Sequence, residues 1–253
     1  MKKQSIVFVI LISVGVFLVS CKQKNTNQQN SEQQELRKGH ETLVINTADD
    51  AIPELKNGNK RFLEGKLINT DYKSQIENTK SDQHPHSVIL SCLDSRVPPE
   101  IIFDQGIGNI FVARVAGNVE DANILGSMEF ATKVKGSKLI VVMGHSSCGA
   151  VKGAIDNAEL GNLTQLVDQI KPAIPKEKMS KEDLQDAAAK NNITQTMRDI
   201  LDKSPVIKEL VAQNQINIVG AYYDITTGKV DFLPETLLNL LQPKAKVKIE
   251  EKH

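Results

Sequence analysis

Apolar positions change rhythm along this chain, and each change marks a different kind of segment. From Ile6 to Val19 they run almost unbroken, interrupted only by Ser13 and Gly15, behind Lys2 and Lys3. A bilayer-spanning helix needs about 20 apolar residues, whereas this run is shorter and stops at Ser20 and Cys21. That layout is an export signal over residues 1–20, to be set apart from the fold. Residues 22–38 are rich in Gln and Asn with no apolar period, too polar to offset the entropy of ordering. A flexible tether is expected over residues 21–40. From Thr47 the spacing turns helical, with Ile52, Leu55, Phe62 and Leu63 on one face, Thr47 as N-cap and Asp50 three residues later.

From Ser87 short apolar runs alternate with helical stretches. SVILSCL, NIFVARVAG and KLIVVMGHS read as strands that are apolar on both faces; a helix through Ile124 to Val134 separates the last two, and another opens near Cys148. Such strands belong in a parallel sheet covered on both sides. INIVGAYYDITTGKVDFL reads as one more strand, a turn at Thr227-Gly228 and a hairpin partner at the sheet edge. Between them, residues 160–213 carry helical segments broken by Pro172, Pro175 and Pro205. The expected fold is α/β: a central, mainly parallel β-sheet flanked by helices, with an N-terminal helical arm and an edge hairpin at the C-terminal end. It forms a single domain over residues 41–245, followed by a charged tail at 246–253.

Charge narrows the function classes. Lys plus Arg and Asp plus Glu both number 31, and there is no Trp. Neither the basic field nor the stacking platforms of a nucleic-acid binder are present, so no nucleic-acid partner is expected. Leu18-Val19-Ser20-Cys21 resembles a bacterial lipobox. The resemblance implies cleavage before Cys21, lipidation of that cysteine with palmitate among its acyl chains, and a protein held in the cell envelope by a lipid anchor. The site would be the periplasmic side or the outer membrane, and Lys22 after Cys21 favours the outer membrane. Of three cysteines, only Cys92 and Cys148 then remain, in a compartment that oxidises paired thiols. Either they form a disulfide or a bound metal holds them reduced.

The chemistry concentrates at two strand ends, where open α/β sheets place their ligands. SCLDSRVPPE packs Cys92, Asp94 and Arg96 into five residues after the first strand, and GHSSCGA puts His145 and Cys148 in a turn that enters a helix. Two thiols and an imidazole suit Zn²⁺, and three protein ligands with an open fourth position mark a catalytic site. Competing readings are a Cys92–Cys148 disulfide, ordinary buried cysteines, and an Asp94–Arg96 pair that is only a structural salt bridge. A redox pair would show Cys-x-x-Cys spacing, and none occurs.

Cys92-Leu93-Asp94-Ser95-Arg96, followed about fifty residues on by Gly144-His145-Ser146-Ser147-Cys148-Gly149, resembles the signature pair of the β-class carbonic anhydrases. These are zinc enzymes that interconvert CO2 and bicarbonate. The likeness extends through PPEIIFDQGIGNIFVARVAGN and ILGSMEFATKVKGSKLIVVMGH, roughly residues 45–160. It implies a carbonate dehydratase with one Zn²⁺ per chain on Cys92, His145 and Cys148, and Asp94 and Arg96 as the catalytic dyad. Asp94 becomes a fourth metal ligand in a closed state, and Gln105 is the substrate-binding glutamine. Arg114 matches an arginine of a second, regulatory bicarbonate pocket in some members, but that pocket also needs a tryptophan where Ile89 stands. His84 and His86 are expected in a solvated loop. The resemblance further implies a homodimer or larger homo-oligomer, with residues 45–66 as an arm. A COS or CS2 hydrolase on the same fold, and a zinc-binding or redox lipoprotein without turnover, stay open as alternatives.

Overall fold

The computed structural model describes residues 45–233; the export segment, Cys21, the tether and the charged tail lie outside them. Helix α1 (Ala48–Leu63) begins at the expected cap: the Asp50 amide donates to Thr47 Oγ1 at 3.2 Å, and the Asp50 carboxylate accepts from the Thr47 amide at 3.0 Å. Two amides that helix geometry leaves unpaired are thereby satisfied. A second helix, α2 (Tyr72–Thr79), buries none of its residues.

Four parallel strands follow, β1 (Ser87–Ser91), β2 (Ile110–Arg114), β3 (Leu139–His145) and β4 (Asn217–Tyr223), and β5 (Val230–Phe232) runs antiparallel to β4. Their order in the sheet is β2-β1-β3-β4-β5. The chain leaves β1 for one side to make β2, then crosses to the other side for β3. The crevice at the carboxyl ends of β1 and β3 is therefore the topological switch point, where ligands bind in such sheets.

Alternate strand residues serve opposite faces. Val88, Leu90, Ile140, Val142 and Ile218 pack on one side with α5 (Gly149–Ile155), α6 (Gly161–Ile170), α7 (Lys181–Lys203) and α8 (Pro205–Ala212). Ile89, Val141, Met143 and Ala221 pack on the other with Ala51 and Leu55 of α1 and with Ile102 and Phe103 around the short helix α3 (Pro99–Ile102). Both faces are covered, which is why the strands read as unbroken apolar runs. Helix α4 (Ala122–Glu129) continues into a wider turn at Phe130–Val134. Helix α7 crosses the sheet over Gly144 and Gly220, where any Cβ would come within 2.8 Å of Ile193. Among the described residues, no helix is long and apolar enough to cross a membrane.

Asn59 fastens α1 to the sheet. Its amide donates to Ile102 O at 3.2 Å and Gly228 O at 3.0 Å, and its oxygen accepts from the Val230 amide at 2.9 Å, the first and last of these buried and the second partly so. Asn59→Ala is expected to lower unfolding free energy by about 3 kcal/mol, because three main-chain groups lose their partner. A urea titration would read this as a lower midpoint at unchanged slope.

Candidate metal centre

Ser91, the last residue of β1, lies in register with Met143, two residues before the end of β3. Cys92 and His145 thus leave the sheet side by side. Ser147, at φ +54°, turns the chain so that Cys148 becomes the N-cap of α5. The three side chains are 4%, 1% and 1% exposed, and one donor atom from each lies within 4.8 Å of the others.

The imidazole is set up to ligate. Its Nδ1 lies 2.9 Å from the Ser146 carbonyl, an acceptor only, so Nδ1 carries the proton and Nε2 keeps its lone pair. Nε2 is buried without a hydrogen-bond partner, a costly state for a polar atom unless something else occupies it. The two sulfurs are free and 4.0 Å apart, against about 2 Å in a disulfide. Their contact splits the two titrations: the hydrogen bond with Cys148 pulls Cys92 down to about 4, while the same contact and burial push Cys148 up. The contact thus favours a thiolate on one sulfur and disfavours a second beside it.

The surrounding main chain favours thiolate. The Gly117 amide donates to Cys92 Sγ at 3.4 Å. Gly117 has φ +70°, and a Cβ there would meet Ile170 Cδ1 at 2.5 Å and Ala150 Cβ at 3.2 Å, so only glycine serves. Two residues of α7 hold the loops from behind: Asn192 Nδ2 donates to Gly117 O at 2.7 Å, and Gln185 Nε2 to Cys148 O at 2.9 Å.

Asp94 and Arg96 meet as a fork. Arg96 Nε and its own amide both donate to Asp94 Oδ1 at 2.9 Å, and Nη2 donates to Oδ2 at 2.7 Å. The guanidinium holds the Asp94 carboxyl well below the usual carboxylate range. The Asp94 carboxylate is thereby turned to Arg96 and stands outside the three-donor group.

The carbonic anhydrase family model matches residues 87–230. Carbonic anhydrase 2 of Mycobacterium tuberculosis is 36% identical over 184 residues, covering 69% of this chain and 87% of that protein. The chain belongs to the β-class carbonic anhydrases. A β-carbonic anhydrase of Aspergillus fumigatus superposes with a TM-score of 0.63 at 23% identity, over 72% of this chain and 91% of that one. A tetrameric β-carbonic anhydrase of Sordaria macrospora gives 0.59 at 23% identity, over 70% and 94%. This carbonic anhydrase is thus a carbonate dehydratase, and zinc is its metal. The two thiols, the partnerless Nε2 and the mutual distances fit that ion.

Two expected residues sit elsewhere. Gln105 precedes β2 at the amino end of the sheet, opposite to the end that carries Cys92. Its amide is spent there: Nε2 donates to Phe103 O at 2.8 Å and Glu54 Oε1 at 3.2 Å, and Oε1 meets His86 Nε2 at 3.1 Å. Within one chain of this carbonic anhydrase, Gln105 is part of a buried polar network. His86 belongs to that network rather than to a solvated loop, whereas His84 is exposed as expected. Ile89, which stands where the regulatory pocket would need its tryptophan, is fully buried in the core.

Proposed function

We propose that this carbonic anhydrase hydrates CO2 to bicarbonate and a proton at the Cys92–His145–Cys148 centre, with Asp94 and Arg96 as its dyad. The observation that carries the assignment is the buried, partnerless His145 Nε2 facing two free thiols, with Asp94 held aside by Arg96. Cys92, His145 and Cys148 would hold the zinc. Bound there, zinc supplies Lewis-acid activation of water as a nucleophile. Asp94, kept ionised by Arg96, is an acceptor only. Two donors already occupy Oδ1 and one occupies Oδ2, leaving Oδ2 capacity for a further O–H. The carboxylate can therefore orient a nucleophile that presents a proton. Arg96 keeps that carboxylate from swinging inward and closing the site. The Arg96 side chain is 55% exposed, so the released proton can pass to solvent beside the dyad.

We infer from Leu18-Val19-Ser20-Cys21 that the enzyme works in the bacterial cell envelope, anchored through lipid on Cys21. Palmitate label should enter the protein in a bacterial host and vanish in Cys21→Ser; a parent that takes up no label would remove the anchor. A homodimer or larger assembly is supported by the outer edge of β2, which no strand covers among the described residues. Beside it lies an apolar hollow lined by Phe111, Ala113, Ala122 and Phe130, with Phe130 and Val134 exposed. Edges and patches of this kind call for a cover. Sedimentation should report at least a dimer at micromolar concentration.

The deciding experiment is zinc content and stopped-flow CO2 hydration on protein lacking residues 1–20, before and after chelation. Zinc near one per chain with chelator-sensitive hydration supports the proposal. Zinc without hydration would point to a COS or CS2 hydrolase, or to a lipoprotein whose zinc is structural.

A further inference from the structure

Arg114, the last residue of β2, spends its guanidinium on main chain: Nε donates to the Cys92 carbonyl at 3.0 Å, and Nη2 donates to the Asp94 carbonyl. We propose that Arg114 is a positioning residue for CO2 hydration, a two-point clamp that fixes the turn carrying both the metal-binding thiol and the catalytic carboxylate. This rests on the roles of Cys92 and Asp94 proposed above.

Three observations lead to it. First, Arg114 pairs with Ser91, and the Val115 amide makes a further bond to Ser91 O at 3.1 Å. Beyond Ser91 the chain has left the ladder, and the arginine side chain carries the bonding two carbonyls further. Second, packing does little for the turn. Leu93 is 59% exposed, and Ser95 and Arg96 are exposed as well, so Asp94 is placed by hydrogen bonds. Besides the Arg96 bonds to its carboxylate, these are the Val97 amide to Asp94 O at 3.0 Å, the Asp94 amide facing the Cys92 sulfur, and the Arg114 fork. Third, among the described residues Arg114 forms no ion pair with a carboxylate, so the clamp is the engagement its head group has.

The carbonyls of residues 92 and 94 straddle Leu93. Holding both on one rigid, planar fork fixes the peptide planes between the Cys92 and Asp94 side chains. A lysine ammonium on a flexible stem can serve one carbonyl but does not impose that plane. The arginine that resemblance associated with a regulatory anion pocket is thus given a role inside the reaction itself.

The test compares Arg114→Met and Arg114→Lys with the parent enzyme, both zinc-loaded for kinetics and cobalt(II)-exchanged for absorption. The parent's thiolate-to-cobalt bands establish that the metal sits on cysteine; if they are missing, the metal-centre reading fails, and the clamp with it. Given those bands, Arg114→Met is expected to bind cobalt with shifted and broadened absorption. Its kcat should fall about 10–100-fold, as for lost outer partners of a metal site, while KM stays near the parent's. Arg114→Lys should lie between the two. A folded Arg114→Met with the parent's spectrum and kcat overturns the proposal. Should that variant fail to fold, parent-like values in Arg114→Lys overturn it equally.

Discussion

His145→Ala is expected to purify as folded protein with almost no zinc and with CO2 hydration at the detection floor. The imidazole closes β3, opposite Tyr223 in the sheet register, and its neighbours do not release it to be replaced by another donor. Loss of a direct ligand should weaken zinc binding by more than about 100-fold, since losing an outer partner alone costs 10–100-fold. The metal-free fold should lose some stability, because the buried ring goes together with its Nδ1 bond to the Ser146 carbonyl and leaves a cavity, so the diagnostic quantity is the response to chelation. Thermal unfolding separates these effects. Zinc bound to the native state raises its stability by mass action, so chelation should lower the parent's Tm and leave that of His145→Ala unchanged. A variant that retained stoichiometric zinc would remove His145 from the metal centre.

Asp94→Asn should keep its zinc and lose hydration by about 10²–10⁴-fold, the range spanned by a positioned proton acceptor. The amide preserves shape but places a donor where an acceptor is required, and it faces the Arg96 fork with the wrong polarity. Arg96→Ala is expected to be slow for a different reason. The carboxylate, freed from the two guanidinium hydrogen bonds and left with only the main-chain amide of residue 96, can turn toward the metal and occupy the place of water, so zinc should leave this variant more slowly than it leaves the parent. Zinc content, zinc release to a chelator and stopped-flow hydration distinguish the two variants. Parent-like turnover in either would take the dyad out of the mechanism.

How much of this was legible beforehand follows from what carries each feature. The parallel strands declared themselves as apolar runs because both sheet faces are buried. Helix α1 declared itself through Thr47 and Asp50, and the edge hairpin through Thr227-Gly228. Helix α2 gave no sign, since a helix that buries no residue has no apolar period. The three donors were legible because two belong to one turn and the third follows a matching strand. The place of Gln105 within one chain was not legible, because α3, between Cys92 and β2, carries the chain back to the amino end of the sheet, a reversal that counting residues does not reveal. The contacts of Gly117, Arg114, Gln185 and Asn192 were invisible for a related reason. Each is a bond from a side chain or amide to a group far along the chain, and such bonds leave no local period.

The pairing of β1 with β3 has a kinetic consequence. Cys92 and His145 stand 53 positions apart in the chain and meet only when these strands have aligned with Ser91 beside Met143. Before that, an ion finds at most the two donors of the 145–148 turn. Loading is therefore a late event that follows sheet assembly, and the ion acts as a lock on finished molecules instead of a seed for unfinished ones. A chain made under zinc starvation should reach its native sheet at the normal rate and remain rescuable by zinc afterwards.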